Sequence, residues 1–208
     1  MKKLHKLMMT GILAFALPGF AATEWEPTLI ENGNFANGTA AAADGWSAGF
    51  FDGAQGTVTR ISGDDKERPN QMELKFNQPA KGMIQLQSKP FRLPTDGPRR
   101  FRLVTQHRGA GLVQIRFYAV EQGKGLTWLK RADGSPVQLE QSLKPGSDWQ
   151  KTVSEWTLSK ERLAQNIFAN VTIMFWASKS DLKVSSIELQ FEKPAAPAPA
   201  PAAPAARQ

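Results

Sequence analysis

Two stretches of the chain place chemically able side chains at a fixed spacing: "GLVQIRFYAV", Gly111 to Val120, and "NVTIMFWAS", Asn170 to Ser178. Both alternate, which is the period of a half-buried β-strand. With Val113, Ile115, Phe117, Val171, Ile173 and Phe175 turned to a core, the opposite faces carry Gln114, Arg116, Tyr118, Thr172, Met174 and Trp176. Flat rings beside amides and a guanidinium suit a sugar, whose C–H face stacks on an aromatic while its hydroxyls take hydrogen bonds. The plainer alternative is that Tyr118 and Trp176 cover the sheet beneath a loop and that Arg116 only lays its stem across apolar surface.

Other chemistry is thinly supplied. Cysteine is absent, and beyond His5 the sole histidine is His107, in "TQHRGAG", read as a polar side chain at a loop end. Neither a metal-ligand cluster nor a hydrolytic triad can be assembled, and no His-Glu-x-x-His motif occurs. One enzymatic reading remains, a polysaccharide lyase in which Gln114 or Arg116 neutralises a uronate while Tyr118 or His107 moves the carbon-bound proton. "VQIRFYA" does not match the usual lyase strand motifs and Tyr118 is the single tyrosine, so the non-enzymatic reading is preferred.

The elements that must position these residues are short strands. Nine alternating runs recur between Gly, Pro, Asn and Asp clusters, among them "GTVTRIS", "QMELKFN", "MIQLQSKPF" and "VSSIELQF", and no internal repeat is present. This spacing predicts an all-β fold, a single jelly-roll sandwich of two antiparallel sheets. The one helix candidate is "SKERLAQN", Ser159 to Asn166. If successive strands alternate between sheets, those holding Ile84 to Gln87, Leu112 to Val120 and Val171 to Trp176 share one sheet. Gln85 and Gln87 then join Gln114, Arg116, Tyr118 and Trp176 as candidate ligand-binding residues.

The chain ends read differently. Residues 1–21 have a Lys-rich start, an apolar stretch from Leu7 to Phe20 broken by Pro18, and small residues at Gly19 and Ala21, as in a cleavable export signal. The stretch is too short for a membrane span of about 20 residues. A periplasmic or secreted location is expected. Residues 22–192 form the domain, and 193–208 a disordered Pro/Ala tail whose "PAAPAPAPAAPAA" would extend roughly 40 Å at about 3.1 Å per residue. The formal charge of +7 falls to +4 without the leader's Lys2, Lys3 and Lys6. The remaining cations are scattered, which argues against nucleic acid and suits an anionic glycan equally well.

The order of motifs resembles the carbohydrate-binding modules of the family 4/9 type, which have a galactose-binding-like jelly-roll fold. The resemblance rests on "LIENGNFANG" followed by "DGWSAGF", then "IQLQSKPFRLPTDGPRRFRLVTQHRG", and finally "DWQKTVSEWTL", "VTIMFWAS" and "KVSSIELQF". It implies a polysaccharide or cell-envelope glycan as partner, with Trp46, Trp149 and Trp156 as structural aromatics. Trp25 is expected to be mobile, and Trp128 either packs inward, the preferred reading, or edges the same groove from a neighbouring strand. The family's structural calcium would fall to Glu31, Asn34 and Glu188, because Ser185-Ser186 stand where relatives carry an Asp pair. The alternative to glycan binding is an envelope structural or adhesive domain meeting a protein partner through the Pro/Ala tail.

Overall fold

The computed structural model describes residues 24–26, 30–63, 65–78, 80–93, 99–121, 123–158, 167–177 and 181–193. The expected helix over residues 159–166 and the Pro/Ala segment lie outside them. Two sheets carry the fold. The first has the order β10 (Gly125–Trp128), β9 (Gly111–Glu121), β13 (Ile167–Trp176), β6 (Met83–Ser88), β3 (Trp46–Phe51). β11 (Gln138–Leu143) also pairs with β9, and β7 (Phe91–Arg92) with β13. The second sheet runs β12 (Gln150–Leu158), β8 (Arg99–Arg108), β14 (Leu182–Phe191), β5 (Asn70–Phe76), β4 (Gly56–Ser62). A small hairpin, β1 (Gly38–Thr39) with β2 (Ala42–Ala43), precedes them.

The chain crosses between the sheets from β3 to β4, β5 to β6, β7 to β8, β8 to β9, β11 to β12, β12 to β13 and β13 to β14. This is the jelly-roll sandwich expected from the spacing of the runs. Its core is built by alternation: Val113, Ile115, Phe117, Val171, Ile173 and Phe175 are all buried and face Leu74, Phe101, Leu103, Ile187, Leu189 and Phe191 of the other sheet. Phe76 reaches across to Phe175 with ring centroids 5.1 Å apart, and Phe101 meets Phe191 edge-on at 4.9 Å. Each such side chain removed from water contributes about 1.5–3 kcal/mol, which is how a chain without disulfides holds its layers together.

One end of the core is polar. Gln141, on β11, is buried; its Oε1 accepts from the Thr105 hydroxyl at 2.7 Å and its Nε2 donates to the Leu103 carbonyl at 3.0 Å and the Ser154 hydroxyl at 3.2 Å. One amide thus ties the first sheet to β8 and β12 of the second.

His107 belongs to the same polar end, not to a loop. It is fully buried on β8, with Nδ1 3.0 Å from the Gly109 carbonyl and Nε2 2.9 Å from the Thr152 hydroxyl. A carbonyl cannot donate, so Nδ1 carries the proton and Nε2 accepts. Desolvation lowers its pKa below the ordinary 6.5, opposed by the Gly109 carbonyl. An unfolded chain therefore takes up this proton near pH 6.5 while the folded chain still excludes it. Stability is whole above about pH 6.5 and falls as the pH drops toward the lowered folded value, by at most about 1.4 kcal/mol per pH unit. Denaturant titrations between pH 7.5 and 5 are expected to show this slope in the native protein and a flatter one in His107→Gln; equal slopes would remove His107 as the source.

Trp25, expected to be mobile, is pinned. It bridges to Glu192, and the guanidinium of Arg102 lies 4.5 Å above its ring. Trp46 is structural as expected, packed 5.2 Å from Phe35 with its Nε1 donating to the Asn32 carbonyl at 3.2 Å.

Candidate functional site

The register of the first sheet sorts its outer face into rows, because residues directly opposite in antiparallel strands point to the same side. One row is Ser47, Gln87, Thr172, Gln114 and Glu140 across β3, β6, β13, β9 and β11. On one side of it lie Gly49, Gln85, Met174, Leu112 and Ser142, and beyond them Phe51, Met83 and Trp176. On the other side come Asn170, Arg116 and Gln138, and then Phe168, Tyr118 and Trp128. All six candidate ligand residues, Gln85, Gln87, Gln114, Arg116, Tyr118 and Trp176, therefore share one face.

The face has aromatic ends and a polar middle. At one end Tyr118 and Trp128 meet edge to face, centroids 5.8 Å apart. At the other stand Trp176, Met83 and Phe51, whose ring lies over Gly49 at 2.8 Å from where a β-carbon would sit. A side chain at Gly49 would push that ring away. The two ends are eight residues apart along β13, about 27 Å at the rise of a strand.

Between them runs a chain of hydrogen bonds with a fixed direction. Gln114 and Gln138 both donate to Glu140 Oε1 at 2.8 Å, and Gln114 Oε1 accepts from Arg116 Nε at 3.1 Å. The carboxylate at one end and the guanidinium at the other set which way the Gln114 amide points. Arg116 also reaches Met174 Sδ at 3.8 Å and stands 5.3 Å above the Trp128 ring. Burial draws its pKa below the usual arginine value, against the opposing pull of Tyr118.

The candidates are deeper than surface residues of a strand. Gln85, Gln114, Tyr118 and Met174 are buried, and Arg116, Gln87 and Trp176 half-buried. Long side chains lying across one another shield the face from water, as the Arg116, Gln114 and Met174 contacts show. Asn170 and Thr172, between them, are 1% and 0% exposed, and among the described residues neither the Asn170 amide nor the Thr172 hydroxyl has a hydrogen-bond partner. Each unsatisfied buried group costs about 1–3 kcal/mol, so these atoms call for a partner that the described residues do not supply.

Sequence reasoning had not placed Asn170 in the site, nor Glu140 or Gln138, and for Trp128 it preferred inward packing to an edge of the groove. Trp128 corrects the expectation that it packs inward: it is 40% exposed and opposite Tyr118 at the rim of the face. The signal was the tight turn around Gly123, which folds β10 back on β9. An open depression of about 370 Å³, lined by Arg131, Ser135, Pro136, Gln138 and Glu140, continues the face past β11.

Two other sets are not part of this face. His107 faces the core from the second sheet, so it is not assembled with Arg116 and Tyr118. Of the calcium candidates, Glu31 lies against Gly45, Asn34 Oδ1 accepts the Ala36 amide at 3.3 Å, and Glu188 Oε2 accepts from Gln190 at 2.6 Å on β14. Among the described residues no three His, Cys, Asp or Glu side chains gather as a metal group. A calcium ion takes six to eight oxygens, and this donor set does not fit that demand. Thermal unfolding is expected to be unchanged by a calcium chelator; a drop of many degrees that calcium restores would contradict this.

No protein-family model and no curated protein matches the sequence. Solved structures match the fold. An apo cyclase from Fischerella sp. is similar over 81% of this chain and 97% of its own, at 12% identity and a TM-score of 0.55. Tailspike protein 4 of bacteriophage CBA120 is similar over 79% of this chain at 12% identity and a TM-score of 0.53, and the match spans 21% of that tailspike domain. A CBM4 structure is similar over 78% of this chain and 99% of its own, at 12% identity and a TM-score of 0.49. At such identities the likeness is one of fold, and the sandwich is what this chain shares with the cyclase and the tailspike domain.

Proposed function

We propose that the protein is an exported, non-catalytic glycan-binding module that takes a polysaccharide along the outer face of its first sheet. The observation that carries this reading is the arrangement of that face: rings at both ends, and between them the amides of Gln85, Gln87, Gln114 and Asn170 with Arg116 and Thr172. Stacking on the exposed ring of Trp128 and on Trp176 would hold the C–H faces of sugar rings, and the polar rows between would take their hydroxyls. The motif order that resembles family 4/9 modules supports the same reading, as does the export-like leader.

Native gels cast with a panel of neutral and uronate polysaccharides test it. Retarded migration in at least one polymer is expected, without any rise in ultraviolet absorbance from unsaturated products. Free migration in every gel would remove the glycan reading. An absorbance increase proportional to protein and abolished by Tyr118→Phe would make the protein a lyase.

A further inference from the structure

We infer that the glycan is one that bears carboxylates, and that a uronate carboxylate seats between Arg116 and Asn170; this rests on the glycan reading above. The first ground is the state of Arg116. Elsewhere in the fold Arg68 pairs with Asp65, Arg100 with Glu155 and Lys183 with Glu73, while Arg60 is saturated by two carbonyls and the Asn70 amide oxygen and Arg102 by Gln190 and the Trp25 ring. Arg116, itself half-buried, is held by a neutral amide oxygen, a thioether, the Tyr118 hydroxyl and the Trp128 ring, and among the described residues no carboxylate pairs with it. A thioether is a weak acceptor, readily exchanged for the charge-assisted fork that a guanidinium forms with a planar carboxylate.

The second ground is independent of the first. Asn170 is directly opposite Arg116 in the register, and among the described residues both atoms of its buried amide lack a partner, as does the hydroxyl of Thr172 one row along. Both residues are fully covered; on β9 Arg116 stands opposite Asn170 and Gln114 opposite Thr172, and the Arg116 guanidinium reaches along the face as far as Met174. When Arg116 leaves Met174 to meet a carboxylate, it opens the way for Asn170 Nδ2 and the Thr172 hydroxyl to donate to the same anion. The sugar ring then rests against Trp128.

The acidic group that faces this seat is Glu140, and its charge is already engaged: Oε1 accepts from Gln114 and Gln138, and Gln114 stands between it and Arg116. Beyond β11, Arg131 lines the depression together with Gln138 and Glu140, which offers a second cation to a neighbouring sugar of the same chain.

Affinity electrophoresis tests the assignment, with the protein run in gels containing polygalacturonate, alginate or hyaluronan, each beside its carboxyl-reduced counterpart, and in gels containing neutral xylan, neutral glucan or dextran sulfate. Retardation by at least one uronate polymer is expected, abolished by carboxyl reduction, weakened at least tenfold in Arg116→Gln and unchanged in Arg100→Gln on the other sheet. Arg116→Lys, which keeps the charge and loses the fork, should fall between them, and it serves in place of Arg116→Gln if that variant does not melt as a folded protein. Equal retardation by reduced or neutral polymers would overturn the carboxylate seat and leave the glycan reading standing. Retardation by dextran sulfate as strong as by any uronate, weakened equally by Arg100→Gln, would overturn it in favour of unspecific polyanion binding. Free migration in every gel would overturn both.

Discussion

Phe175→Ala is expected to lower the free energy of unfolding by about 3–5 kcal/mol, and Trp176→Ala, its neighbour in sequence, by no more than about 1 kcal/mol. Phe175 is 1% exposed and packs against Phe76 between the sheets, so truncation leaves a cavity that close-packed neighbours only partly fill. Trp176 points the other way, half-buried at the end of the outer face. Urea titration of both variants measures the contrast. A domain of this size has roughly 5–15 kcal/mol in total, so the first change removes a large share of it. Equal losses would mean that the faces of β13 are assigned the wrong way round.

The largest effect on binding is expected at Trp128. Trp128→Ala should weaken glycan affinity by about 30-fold or more, the scale of a buried aromatic anchor losing at least about 2 kcal/mol, with little change in stability. The ring is 40% exposed on the short β10, so the fold depends on it little. Tyr118→Phe keeps the ring that supports Trp128 and should cost less. Val153→Ala supplies the control, since Val153 is 47% exposed on β12 of the second sheet. Isothermal titration calorimetry with the retarding polymer reads all three. Wild-type affinity in Trp128→Ala would remove the aromatic rim from the site.

Much of this site was legible in the sequence because strand alternation has a period of two and fixes faces without knowledge of the fold. Val113 to Phe117 and Val171 to Phe175 were assigned inward on that basis, and the sheet shared by β6, β9 and β13 followed from alternating strands between layers. Burial was less legible. Gln85, Gln114 and Tyr118 have the side chains of exposed strand residues, and only the contacts of Arg116 with Gln114, Met174 and Trp128 show how far the face closes over itself.

Three residues show why the rest was hidden. Trp128 lies in "GKGLTWLKR", where alternation supports either face, and its side was decided by the register of the β9–β10 hairpin. Asn170 opens the alternating run as it reads in the sequence, yet β13 begins at Ile167, and that extension places Asn170 inside the sheet opposite Arg116. His107 stands two residues before Gly109, yet a strand that continues to Arg108 carries it inward, where Thr152 and the Gly109 carbonyl satisfy its ring. Contacts that arise between distant strands leave no local pattern to read.

The claim that the outer face of the first sheet holds the glycan is tested most directly by the six indole N–H resonances in a ¹⁵N-correlated spectrum, followed as the retarding polysaccharide's oligomers are titrated in. Trp128 and Trp176 lie on that face; Trp46 is buried beside Phe35, Trp156 packs against the core, Trp149 lies beneath Arg68 and Trp25 beneath Arg102. The account predicts that the Trp128 and Trp176 resonances move with saturation while the other four stay. Movement confined to Trp25 or Trp149, with Trp128 and Trp176 unchanged at saturation, would contradict it.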